Sequence, residues 1–190
     1  MQAHDWYRQF YIILTLALAL LSNASVGGAQ KPGGLAAKGD KLYTQFSLYY
    51  EEDHHITTNY RKGVLVPVNT EVEFVKASRK RITVRIPSYD VTVHFENEEG
   101  YSGEKIDGIF KRTFGKAPVN ISGFTEAEQS SIKKGTVAVG MSKDAVVKAM
   151  GYPPKHKTPT LNMDQWRYWK NRFDTMLVFF DDGKVTSIQD

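Results

Sequence analysis

Residues 71–95 read EVEFVKASRKRITVRIPSYDVTVHF, and the period of this stretch decides the fold. Val72 and Phe74 alternate with Glu71 and Glu73. Ile82, Val84 and Ile86 alternate with Thr83 and Arg85, and Val91, Val93 and Phe95 with Thr92 and His94. Successive side chains of an extended chain point to opposite faces. The pattern therefore predicts strands with one face on a core and one in water. Polar breaks at residues 76–80 and 87–90 predict the turns between them. Upstream, Phe46, Leu48 and Tyr50 alternate with Gln45, Ser47 and Tyr49, which predicts another strand. Four or five short strands over residues 43–97 predict a small antiparallel β-barrel or curled sheet.

Downstream the period changes. Ile106, Ile109, Phe110 and Phe114 fall at i, i+3, i+4 and i+8, one face of a helix over residues 102–116. Gly115 is its predicted C-cap, and Pro118 prevents it from resuming. Residues 98–123 thus read as a bridging helix and linker between two halves. From residue 124 the order is helix, helix, then three strands. Thr125 with Glu128 is a capping-box signature for a helix ending near Gly135. Ser142 is the predicted N-cap of the next helix, with Val146, Ala149 and Met150 on its apolar face and Gly151 as a left-handed C-cap. Strands follow at 166–169, 176–180 and 184–189, and Asp182-Gly183 predicts a tight hairpin between the last two. The fold class read from the sequence is α+β, with no internal repeat.

Upstream of the strands, residues 30–42 (QKPGGLAAKGDKL) have no periodicity and read as a flexible leader. Residues 1–29 read as a secretory signal peptide. Arg8 precedes the apolar run FYIILTLALALL at 10–21, and small residues around Ala24 and Ala29 offer two cleavage points. An uncleaved signal anchor is the alternative, although a dozen apolar residues are short for a bilayer span of about 20. The 190 residues contain no cysteine, which removes disulfides, thiol catalysis, Cys–zinc sites and a lipid anchor on Cys. The net charge of +4 is spread without a basic run, so it points to no nucleic acid and at most to weak contact with anionic lipid or cell wall.

No chemical constellation emerges. His54 and His55 follow Glu51-Glu52-Asp53, but neighbours on an extended chain face opposite ways, and no HxxxH or HExxH spacing supports a metal. These residues read as an exposed polar loop, and His94 and His156 as solvated. The acid pairs Glu98-Glu99 and Asp181-Asp182 fall at turns. No nucleophile motif or phosphate-binding glycine loop is present. The expectation is a protein that is not an enzyme and takes no cofactor or metal. The most informative cluster is aromatic and basic: Trp166, Arg167, Tyr168, Trp169, Arg172 and Phe173. These residue types are enriched at interface hot spots, and the six together are the candidate partner-binding set.

The C-terminal third also carries a family likeness. IKKGTVAVGMSKDAV at 132–146, MGYP at 150–153, WRY at 166–168 and LVFFDDGKV at 177–185 resemble, in order and spacing, motifs of the SmpA/OmlA (BamE-like) envelope family. The resemblance implies a helix–helix–three-stranded antiparallel sheet over residues 124–190, without catalysis. It also implies a role as an accessory subunit of an envelope complex linked to outer-membrane assembly. NYRKGVLVPVNT at 59–70 loosely resembles bacterial Src-homology-3-like barrels. The expectation is a periplasmic, non-catalytic scaffold that binds envelope proteins and reaches the outer membrane through a partner. The alternative is a peptidoglycan- or anionic-lipid-binding module.

Overall fold

The six-residue runs around Pro87 form the hairpin that their alternation predicts. The structure is a computed structural model that describes residues 34–190. The signal-peptide reading, with its two cleavage points, lies outside the described residues. Strands β5 (Glu71–Ala77), β6 (Arg81–Ile86) and β7 (Val91–Glu96) pair antiparallel in sequence. Val72, Phe74, Ile82, Val84, Ile86, Val93 and Phe95 are buried, as alternation requires. Pro87–Tyr89 forms a 3-10 turn between β6 and β7, closed by Asp90 in the left-handed region.

The full sheet has six strands in the order β3-β7-β6-β5-β1-β8, with β1 at Lys41–Thr44, β3 at His54–Ile56 and β8 at Phe114–Gly115. Its first and last strands do not pair, so it is a curled half-barrel. A separate pair joins β2 (Leu48–Tyr50) to β4 (Val64–Val66).

Several expectations are corrected here. The sheet is mixed, because β3 runs parallel to β7. The run 46–50 is not one strand: the chain bends at Gln45 and Phe46, and Phe46 and Ser47 are both buried ahead of the strand at Leu48. Strand β1 begins at Lys41, inside the predicted leader, and Leu35 and Ala36 pack against the core.

The helix predicted over 102–116 is shorter. A single turn, α1 (Glu99–Ser102), precedes α2 (Ile106–Thr113). Phe114 then turns extended and pairs with Thr44, and Gly115 with Tyr43, so Gly115 is no C-cap. Packing decides this: an extended Phe114 meets both Phe95 and Phe110, at ring distances of 5.0 and 5.8 Å. Any side chain at Gly115 would strike that of Gln45. The apolar stripe of α2 belongs to the first core and does not bridge the halves.

Leu35–Asp190 forms one compact unit with two hydrophobic clusters. The second cluster collects the apolar residues of α3 (Glu126–Lys134) and α4 (Lys143–Met150) with those of β9 (Gln165–Trp169), β10 (Thr175–Asp181) and β11 (Lys184–Gln189). These strands form an antiparallel sheet in the order β11-β10-β9. Asp182 and Gly183 both take positive φ in the β10–β11 turn, as an Asp-Gly hairpin should. The protein is thus α+β, with a curled six-stranded sheet and a three-stranded sheet.

One acid ties the starts of the two helices together. The capping box forms, and Thr125 N and Oγ1 both donate to Glu128 Oε2 at 3.0 Å. The other oxygen accepts from Ser142 N and Oγ, each at 2.8 Å, where Ser142 caps α4. Burial pushes the Glu128 carboxyl upward. The hydrogen bonds from Ser142 and Thr125 outweigh it and bring the group down to about 2.

A base ties the helix ends to the first half. Arg61 donates from Nη1 to Met150 O at 3.1 Å and from Nη2 to Gly135 O, with its guanidinium over the Tyr49 ring. Those carbonyls end α4 and follow α3, where a cation complements the helix dipole. Ser47 adds two bonds, from N to Lys148 O and from Oγ to Ile132 O. Tyr152 packs against both clusters and lies edge-on to Phe46 and under Arg112. Gly151, at φ 74 and ψ −172, has the positive φ that favours glycine but not the left-handed cap predicted for it.

Candidate protein-binding face

Strand β9 divides the aromatic cluster between two sides of a sheet. Trp166 and Tyr168 point inward and are fully buried. Trp166 lies 4.6 Å from the Phe180 ring and donates from Nε1 to Met163 O. Tyr168 OH donates to Gly151 O at 3.0 Å. Burial pushes this phenol far above its ordinary range, against the opposing pull of Arg61. These two side chains are core, and no partner can touch them. The composition alone could not separate them from their neighbours, although strand alternation does.

The other members face out. Arg167 is half-buried and donates to Thr175 Oγ1 across the hairpin. Trp169 is half-buried, and its ring stacks on His156, which in turn meets Tyr101. Its Nε1 is buried without a hydrogen-bond partner. Arg172 and Phe173 form the β9–β10 turn, with the guanidinium 5.8 Å from the ring centroid. Phe173 is 84% exposed. The turn beneath it is fixed: Asn171 Oδ1 accepts from Phe173 N at 2.8 Å and from Asp174 N at 3.0 Å, and Asn171 Nδ2 donates to Asp174 Oδ2 at 2.7 Å.

The sequence reading missed two residues of this face. Leu177 and Phe179 lie on the outer side of β10, half-buried, opposite Arg167 and Gln165. The run 176–180 is continuously apolar, which reads as a strand buried on both sides. The signal was available nonetheless, since Met176, Val178 and Phe180 cannot face inward unless Leu177 and Phe179 face outward.

The histidines resolve differently. His55 is not in an exposed loop. It lies on β3, 5% exposed, with Nδ1 at 2.7 Å from Tyr49 O. Burial brings its pKa down to about 4, against the Tyr49 hydrogen bond and with help from the Arg112 charge. The ring is therefore neutral near pH 7, and Nδ1–H donates. His54 points the opposite way, beside Asp53, with its ring 5.4 Å from that of His94. His94 is half-buried rather than fully solvated, and its Nδ1 lies 3.1 Å from Thr83 Oγ1. Exposed His156 is shifted downward by desolvation and by Lys157. Among the described residues, no group of three or more His, Cys, Asp or Glu is placed to hold a metal ion. No described helix is long and apolar enough to cross a membrane.

No family model, curated protein or solved structure matches this chain.

Proposed function

We infer that the chain is a non-catalytic accessory protein of the cell envelope that binds a partner protein through the outer side of its three-stranded sheet. The observation that carries this reading is Phe173, 84% exposed on a turn held by three hydrogen bonds from and to Asn171. A large apolar side chain normally leaves water unless something else covers it. Here it is presented on a rigid turn, so little conformational freedom is lost on docking. Arg172 beside it, and Trp169, Leu177 and Phe179 along the face, supply the anchors that interfaces favour. The likeness of residues 132–185 to SmpA/OmlA motifs supports an accessory role near the outer membrane. The apolar run at 10–21 without any cysteine supports export to the periplasm without a lipid anchor.

The test is site-specific photo-crosslinking in a two-membrane bacterium producing the full chain. A photoreactive residue at position 173 should trap one discrete envelope protein. The same residue at Glu99, exposed on α1, should not. Equal trapping at both positions, or none at either, removes the proposal.

A further inference from the structure

The six-stranded sheet carries a polar trough that uses none of the residues of the proposed partner face. Across its outward side, the register sets Lys76 opposite Thr83, Thr83 opposite His94, and His94 opposite His54. Two residues along β6, Arg81 lies opposite Glu96. At the β5–β6 end, the sheet encloses a trough of about 460 Å³, within the range of small-ligand sites. Thr83 lines its floor, only 3% exposed, with its hydroxyl 3.1 Å from His94 Nδ1. The hairpin supplies one wall through Lys76, Ser78, Lys80 and Arg81, and Glu96, Asn97 and Glu98 supply the other.

The walls are fixed by backbone bonds. Ser78 N donates to Arg81 O, closing the hairpin tip, and Asn97 N donates to Lys80 O, pinning the tip to the end of β7. The charges do not cancel. Glu96 is engaged by Arg81 at 2.5 Å, and His54 Nε2 lies 3.7 Å from the same oxygen. Lys76, Arg79 and Lys80 are exposed and form no ion pair among the described residues. Elsewhere on this sheet cations are matched, as in Lys41–Glu71 and Arg85–Glu73. An unmatched cluster on a rigid hairpin, above a hydroxyl floor, suits a compact ligand with several anionic oxygens.

We propose that this trough binds a phosphate group, carried either by a small phosphorylated molecule or by a lipid headgroup. Lys76 and Lys80 contact the anion. Arg79 strengthens the field at the mouth, and Glu98, exposed on the rim, opposes it.

The probes are pyrophosphate, by calorimetric titration, and phosphatidylcholine vesicles containing phosphatidylglycerol, by co-sedimentation. Both use the full chain at low salt. The double variant K76E/K80E should lose at least roughly tenfold in affinity for whichever probe binds. K41E/K62E makes the same change in net charge at lysines already paired with Glu71 and Glu51, and should change binding less than about twofold. Glu98→Gln should tighten binding by roughly twofold, because it removes the opposing charge. All these side chains are exposed, and thermal melts check that the variants fold. Pyrophosphate binding with this dependence identifies a small phosphorylated ligand, and vesicle binding alone identifies a headgroup. Equal losses in the two double variants overturn the proposal, as does wild-type protein that binds neither probe.

Discussion

Each core of this protein buries a group that titrates in the acid range, and the two are held in opposite charge states. In the first, His55 is kept neutral by burial, with one carbonyl as its partner. In the second, Glu128 is kept charged by four donated hydrogen bonds, and Lys184 Nζ stands 3.8 Å away. The difference lies in which partners each site supplies. A sheet interior has its backbone C=O groups committed to neighbouring strands, so a protonated ring, which donates from both nitrogens, finds no second acceptor there. The first turns of two helices meet with orphan N–H groups, and a carboxylate is what they lack.

The largest effect should come from breaking the second arrangement. Glu128→Ala leaves the donors of Thr125 and Ser142 without a partner and should cost about 4 kcal/mol at pH 7, read from urea unfolding. Next is the pair of acid responses. Unfolded Glu titrates near 4.5 and folded Glu128 near 2. Its contribution of about 3 kcal/mol is full above pH 4.5 and is lost as pH falls toward 2. His55 titrates near 6.5 unfolded and about 4 folded. The folded state resists its proton, so stability should be full above pH 6.5 and fall by about 3 kcal/mol as pH drops to 4. The two windows overlap only between about pH 4 and 4.5. Glu128→Gln should flatten the lower window alone. His55→Gln should flatten the upper one alone. A single window lost in both variants would break the comparison.

Smaller effects sharpen a second contrast, between the outer faces of the two sheets. Phe173→Ala should change unfolding free energy by less than about 0.5 kcal/mol and yet abolish the species trapped by a photoreactive residue placed at the exposed neighbouring position 172. On the six-stranded sheet, Arg85→Ala removes an exposed guanidinium shared by Glu73 and Asp90. It should cost about 0.5 kcal/mol or less, declining further in high salt.

What the sequence disclosed follows the range of the forces involved. Strands β5–β7, the Thr125–Glu128 box, the Ser142 cap and the Asp182-Gly183 turn rest on neighbours within a few residues, and all were legible. Strand β3 was not, because His-His-Ile has no alternation and is extended only by pairing with residues 94–96. Strand β8 is two residues long, and Phe114 leaves the helix to meet a ring on another strand. Nothing beside Arg61 in the sequence marks its role, because its carbonyl partners lie more than seventy residues away. The candidate face was half legible for the same reason. Alternation assigns Trp169 outward and Trp166 inward, but that Leu177 and Phe179 stay only half-buried among the described residues is a property of the assembled fold.

The reach of Arg61 also bears on the order in which the protein is made. A ribosome delivers Arg61 and Ser47 well before Ile132, Gly135, Lys148 and Met150, whose carbonyls accept their hydrogen bonds. The groups that terminate the helix pair are thus synthesised before the helices themselves. Glu128 and Ser142, fourteen residues apart, need no such wait. The order of synthesis thus puts the terminating groups ahead of the carbonyls they cap, and a circular permutant beginning near residue 120 would reverse that order.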